Sequence, residues 1–191
     1  MNAPLIGARI ARKEDYRFLT GAGQYTDDVT LQNQSYAAFV RSPHAHARIR
    51  SISIAKAKAA PGVVGVFVGK DLADAKVGGL PCGWLITDVN GQPMKEPPHP
   101  CLAQGKVRHV GDQVAVVIAE TLAQARDAAE LVDVDYEVLP AVVDVSSATK
   151  KPPIHDGVPN NTCYVWALGD KAACDTAFAK AAHVTKLEFV N

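Results

Sequence analysis

The stretch from Asp112 to Pro140 constrains the fold more than any other part of this chain. "DQVAVVIAE" is a short, nearly continuous apolar run of the length of one buried strand. "TLAQARDAAELV" follows at helical period, with Leu122, Ala125, Ala129 and Val132 on one face. Thr121 and Gln124 at its start match a capping box, in which hydroxyl and amide each satisfy an orphan N–H. "VDVDYEVLP" then alternates: Val132, Val134, Tyr136 and Val138 face one way, and Asp133, Asp135 and Glu137 the other. Strand, helix and strand in immediate succession must bury their apolar faces on one another, which predicts a mixed helix and sheet domain.

The rest of the chain is compatible with that unit. "SYAAFVRS" and "HARIRSISI" both alternate and are separated by Ser42-Pro43, a strand interruption, because proline cannot donate to a ladder. "AKAKAA" is a short helix stopped by Pro61-Gly62, and "GVVGVFVGKDL" reads as a buried strand whose glycine admits another backbone. Residues 78–104 are rich in turn formers, and so long a loop is functional or pinned by a partner. "KVRHVGDQVAVVIAE" reads as strand, Gly-Asp turn and strand. After the proline-rich "KKPPIHDGVPNN" come a second helix, "DKAACDTAFAKAAH", and a last strand, "VTKLEFV". With one short helix among the early strands, the order does not suit a doubly wound sheet. The expectation is an α+β fold: an extended arm over 1–34, the domain proper over 35–150, and a linker with a helix and strand over 151–191.

Charge and cysteine usage narrow the function classes. Twenty Lys and Arg balance twenty Asp and Glu, so nothing favours nucleic acid or an anionic membrane as partner. The tightest basic group, Arg41, Arg48 and Arg50, flanks a strand. The four cysteines, Cys82, Cys101, Cys163 and Cys174, form no C-x-x-C pair, which leaves out zinc ribbons and thioredoxin-like motifs. The opening "MNAPLIGARIARKEDY" lacks the apolar core of a signal peptide, and no stretch is long enough to span a bilayer. A cytoplasmic setting with free thiols is expected.

Several groups invite a chemical reading. His44 and His46 in "RSPHAHARI" would share one side of an extended strand, and with His99, Cys101 and His109 they could surround a metal. H-x-H alone is a weak signal, and packing of one histidine at a sheet edge with the other solvated explains it as well. Asp133, Asp135 and Glu137 could bind calcium or move protons, yet they are what the polar side of a half-buried strand looks like. "TGAGQY" has no following helix to cradle a phosphate and reads as a turn. Asp27 and Asp28 after it could cap or pair with Arg12 or Arg17. Ser42 beside His44 lacks a nucleophile elbow, and Cys82 in "LPCGW" lacks a neighbouring base or cation. No catalytic, cofactor-binding or metal residue is assigned.

Six stretches taken together are more informative: "IGARIARKEDYRFLTGAGQYTDD", "RSPHAHARIRSI", "AAPGVVGVFVGKDL", "KVRHVGDQVAVVIAE", "ARDAAELVDVDYEVLPAVVD" and "GDKAACDTAFAKAAHVTKLEFVN". In this order they resemble the N-terminal part of the molybdenum-binding large subunit of the xanthine dehydrogenase and aldehyde oxidase family, nearest the aerobic carbon monoxide dehydrogenase type. The resemblance implies an α/β-hammerhead domain, a twisted mixed sheet with two main helices. It also implies a complete enzyme with a molybdopterin cytosine dinucleotide-type cofactor, and 2Fe-2S clusters and FAD on small and medium partner subunits. The cofactor-contacting segments of that family correspond to sequence after Asn191, so no cofactor is expected on this chain, and no residue role is carried over. A structural domain is therefore expected. A free-standing interaction module and a small histidine-based metal protein are the other two readings.

Overall fold

The computed structural model describes residues 6–189. Six strands are divided between two three-stranded antiparallel sheets: β1 (Tyr36–Arg41), β5 (Gln113–Ala119) and β3 (Val63–Val68) in the first, and β4 (Lys106–Val107), β2 (Ala47–Ser53) and β6 (Asp133–Val138) in the second. The expected α+β architecture is thus present, with its strands set out as two antiparallel ladders. β5 lies at the centre of its sheet, with Phe39 of β1 and Phe67 of β3 both opposite Val116. Val114, Ala115, Val117 and Ala119 are fully buried on its two faces, which is why its sequence does not alternate.

Two segments that look continuous in sequence are sent to different sheets. The chain leaves β1 through a register shift at Val40–Arg41 and turns over residues 42–46 before entering β2. Buried Ser42 anchors this corner: its N–H donates to the Asp112 carbonyl (2.8 Å), and its own carbonyl accepts from the Gly111 N–H (2.8 Å). The Gly-Asp turn between β4 and β5 is the other half of the corner, so "KVRHVGDQV" is no hairpin. Ile52 and Val134 border both groups of buried side chains, one around Val66, Val117 and Ala128 and the other around Ala47, Val107 and Val114. They join the two sheets into one core.

Helix α4 (Leu122–Glu130) covers the first sheet on the Ala125–Ala128 side, with Val132 continuing the stripe. Leu122, expected on the buried face, is 39 % exposed. Small alanines let the helix lie close to the sheet, and that rotates the buried stripe away from the larger leucine. The cap is half of the expected box. The Thr121 hydroxyl accepts the Gln124 N–H (3.2 Å), but the Gln124 carbonyl takes the hydroxyl proton (2.9 Å) instead of the Thr121 N–H.

Other expectations need correction. β3 is an edge strand with Val64 65 % exposed, not a buried one. The expected short helix, α2 (Ala55–Lys58), precedes β3, which runs into another short helix, α3 (Gly69–Asp74), not expected from the sequence. The close backbone approach occurs at Gly69, where a Cβ would sit 2.3 Å from the Ala103 carbonyl oxygen. At Gly65 the neighbour is the Phe67 ring. The alternation of β6 fails at its end: Glu137 is half-buried and Val138 exposed. A second nine-residue helix, α5 (Lys171–Ala179), forms with Asp170 accepting the Ala173 N–H (2.9 Å), yet buries none of its residues. Residues 184–189 of the expected last strand are not strand, and Val190 and Asn191 lie outside the described residues. A strand exists only where a neighbour completes its ladder, and none is supplied there.

The arm carries a short helix, α1 (Asp15–Leu19), and a 3-10 turn at Thr26–Asp28, and neither buries a residue. Asp28 caps that turn by accepting the Tyr25 N–H (2.9 Å), and Arg12 pairs with Asp15 (2.8 Å) instead of Asp27 or Asp28. Among the described residues no helix is long and apolar enough to cross a membrane.

Candidate functional site

The long loop and the proline-rich connection come together against the second sheet and leave a cleft between them. Within the loop, Asp88 accepts the N–H groups of Asn90 (2.8 Å) and Gln92 (2.9 Å), and so forms a turn. The later segment straps the loop down through Val89 N–H to Val165 O and Lys95 N–H to Cys163 O, both 2.9 Å. The loop then runs through Pro97, Pro98, His99 and Pro100, with the His99 carbonyl accepting the Leu80 N–H (2.8 Å). Rings at three of four positions fix φ and make this a stiff wall.

The opposite wall is the 150s connection, and Asn161 holds its shape. The Asn161 side-chain oxygen accepts the Ile154 N–H (2.8 Å), while its Nδ2 donates to the carbonyls of Ala148 (2.9 Å) and Pro152 (3.1 Å). Asn161 itself has φ of 50°, a left-handed conformation that asparagine tolerates better than most residues. The curl projects His155 and Asp156 toward the start of β4. Two adjoining cavities of about 240 and 390 Å³ result, and Pro97, Pro98, Pro100, Arg108 and His155 line both.

The floor is charged. Lys106 Nζ contacts both oxygens of Asp156 (2.9 and 3.1 Å), and that hydrogen bond holds the Asp156 carboxyl below its ordinary range. The Asp112 carboxylate accepts the Arg108 N–H (2.9 Å) and lies 3.8 Å from His109 Nδ1. Among the described residues the half-buried Arg108 guanidinium reaches two carbonyls, Ile154 (3.4 Å) and Lys106 (3.5 Å). Burial, and then the Arg108 charge, push the His155 imidazole below its ordinary value, so it is neutral near pH 7.

The histidine pair stands elsewhere. His44 sets its ring edge-on to Tyr136 at 5.1 Å between centroids. His46 is buried, with Nδ1 2.8 Å from the Pro140 carbonyl, which makes Nδ1 the protonated nitrogen; its Nε2 is buried without a hydrogen-bond partner. Both rings therefore pack, where one was expected to be solvated. His99 and His109 do share a cavity, and with His155, not with His44 or His46. No group of three or more His, Cys, Asp or Glu among the described residues is placed to hold one metal ion.

The remaining candidates are also located. The Ser42 hydroxyl exchanges hydrogen bonds with the His44 backbone at 3.0 Å, and no bond joins it to the His44 ring. Cys82 Sγ donates to the Trp84 carbonyl (3.3 Å), and all four cysteines are free. Asp133 and Asp135 point to solvent. "TGAGQY" follows α1 as a bend, with the Ala22 N–H donating to the Arg17 carbonyl (2.9 Å). Sequence reasoning singled out neither Arg108 nor His155. The only local hint was a histidine and an aspartate set between prolines, "PPIHDGVP".

Comparison with known proteins fits this architecture. The profile described as "Aldehyde oxidase and xanthine dehydrogenase, a/b hammerhead domain" matches residues 20–140. The chain is 38 % identical to the carbon monoxide dehydrogenase large chain of Afipia carboxidovorans, over 95 % of this chain and 23 % of that protein. It is 34 % identical to the nicotine 6-hydroxylase large subunit of Paenarthrobacter nicotinovorans, over 94 % and 21 %. Among solved structures, carbon monoxide dehydrogenase from Oligotropha carboxidovorans superposes with a TM-score of 0.71 at 36 % identity, covering 93 % of this chain and 22 % of that one. Quinoline 2-oxidoreductase from Pseudomonas putida 86 gives 0.65 at 42 %, covering 78 % and 18 %. The chain thus spans under a quarter of the length of these relatives. Sequence match, identity and superposition agree: the chain belongs to the aldehyde oxidase and xanthine dehydrogenase family and carries its α/β-hammerhead domain.

Proposed function

We propose that this chain is the non-catalytic hammerhead part of a molybdenum hydroxylase large subunit, and that it works by packing on the molybdopterin-binding polypeptide. One observation carries the reading. The chain exposes 15,100 Å² for a mass of 20.3 kDa, whereas a compact monomer of that mass exposes roughly 8,800 Å². The excess includes large apolar side chains: Tyr16 and Leu19 on the arm, Trp84 and Leu85 in the loop, and Trp166 and Phe178 beyond the domain. Surface of this kind marks an interface. The arm 7–34 and the loop 78–104 are the docking surfaces in this reading, flanking the domain proper at 35–150, with 151–191 leading toward the cofactor-binding region. A free-standing module would have covered such surface.

The cofactors fit this division of labour. Cavities of 240 and 390 Å³ lie near the lower end of the range for small-ligand pockets, about 300–1,000 Å³, and a pterin dinucleotide needs more room. These two cavities do not suit the group. Molybdopterin cytosine dinucleotide belongs to the rest of the large subunit, and the 2Fe-2S clusters and FAD to small and medium subunits. The assembled enzyme would be an oxidoreductase. Its substrate (carbon monoxide, a purine, an aldehyde or an N-heterocycle) is selected by that larger part.

The test is co-expression of the tagged chain with the polypeptide encoded beside it, then molybdenum analysis of the eluate. A stoichiometric partner carrying molybdenum is the expected result. Dehydrogenase turnover by the pure chain alone would overturn the reading.

A further inference from the structure

Arginine is almost never withdrawn from water without a counter-charge. The cleft between the proline wall and the 150s connection holds one, Arg108, that is half-buried and forms no ion pair among the described residues. Every acid lining it is already engaged: Asp156 by Lys106, Asp112 by the Arg108 N–H, and Glu96 by the Cys82 N–H (2.9 Å). The Arg108 guanidinium, half-buried on the wall of both cavities, has no carboxylate within 4.0 Å among the described residues. Its two carbonyl contacts are long, at 3.4 and 3.5 Å.

We propose that the Arg108 cleft is a socket for an Asp or Glu side chain of the polypeptide on which this domain packs. The inference rests on the packing role proposed above. A planar guanidinium accepts a carboxylate through two parallel N–H···O bonds, which matches one planar monoanion. Phosphate at neutral pH carries more charge than one uncompensated cation answers. Asp156 and Asp112 beside the cleft disfavour any second anion, and a more highly charged one more strongly than a carboxylate. The stiff Pro97–Pro100 wall keeps the opening formed before the partner arrives, so little ordering is needed on docking. Neutral His155 beside Arg108 adds a polar ring at the same mouth.

The test uses the co-expressed complex and compares recovery of the molybdenum-bearing partner by wild type, Arg108→Glu, Arg108→Lys and the distant control Lys58→Glu. Recovery should fall at least tenfold for Arg108→Glu, be intermediate for Arg108→Lys and stay unchanged for Lys58→Glu. The free variants are melted first by circular dichroism. If Arg108→Glu melts below wild type, the neutral Arg108→Gln replaces it in the comparison. Equal recovery by wild type and Arg108→Glu overturns the socket and leaves the packing role standing. No recovery by wild type overturns the packing role, and the socket with it. Titration of the free chain with inorganic phosphate distinguishes the remaining case. Arg108-dependent phosphate binding together with Arg108-independent recovery would make this an anion site and overturn the socket.

Discussion

Gly78 and Gly79 are adjacent in the loop, and the fold predicts opposite responses to the same substitution. A Cβ at Gly78 meets nothing within 4 Å. At Gly79 it would lie 2.6 Å from the His99 carbonyl oxygen, 2.9 Å from its carbon and 3.3 Å from the Pro100 nitrogen. Ordinary contact begins near 3.4 Å, so Gly79→Ala must move this backbone by about 0.8 Å. That carbonyl also accepts the Leu80 N–H, and the prolines around it cannot adjust φ. Overpacking against such a wall costs about 1–3 kcal/mol. Gly78→Ala has no clash to set against the smaller entropy of its unfolded chain, a gain of about 0.4–1 kcal/mol. Urea unfolding of the two variants beside wild type should show midpoints displaced in opposite directions at equal slope. In a thermal scan, a chain of this size moves about 2–4 °C per kcal/mol. Equal shifts for the two variants, or a neutral Gly79→Ala, would show that residues 78–80 do not lie against the Pro97–Pro100 wall.

Three further outcomes are expected. His155 has its folded-state pKa below that of the unfolded chain, so the unfolded state binds the extra proton, and His155 makes stability fall as the pH drops below about 6.5. Arg108→Gln should raise the His155 titration midpoint seen by proton NMR, and an unmoved midpoint would remove Arg108 from its surroundings. Asn161→Ala leaves the Ala148 and Pro152 carbonyls and the Ile154 N–H without their partner and keeps a left-handed φ. Amide exchange over 145–162 should quicken at least tenfold, corresponding to about 1.4 kcal/mol of lost local stability, while exchange in β5 stays unchanged. Replacing His44 and His46 together by alanine should leave the metal content of purified protein as in wild type. Loss of stoichiometric metal would restore the metal-protein reading.

Much of the fold was legible because local physics and tertiary demand agreed. β5, α4 and β6 follow from apolar periods and one threonine cap. The same holds for the Ser42-Pro43 interruption and for α5, where Asp170 caps a helix that needs no burial to be recognised. Where the two diverged, the sequence misled. Val64 and Val66 look equally buried in "GVVGVFV", but β3 is an edge strand, and only the pairing order reveals that. Leu122 lost the buried face to Ala125 and Ala128 because the helix rides close to its sheet.

The candidate site was the least legible part. His155 lies far along the chain from Arg108 and Pro97–Pro100, and each alone is ordinary. What unites them is the curl held by the Asn161 side chain and the corner held by backbone hydrogen bonds between Ser42 and residues 111–112, neither of which a local pattern encodes. By itself the sequence determined most of the elements, the alternating faces of the central ones and, through six ordered stretches, the family. Tertiary structure alone decided which strands share a sheet, and that a guanidinium would stand in a cleft with no carboxylate within 4.0 Å among the described residues. Residue periodicity is a property of neighbours along the chain, whereas sheet order and charge pairing are settled by neighbours across it.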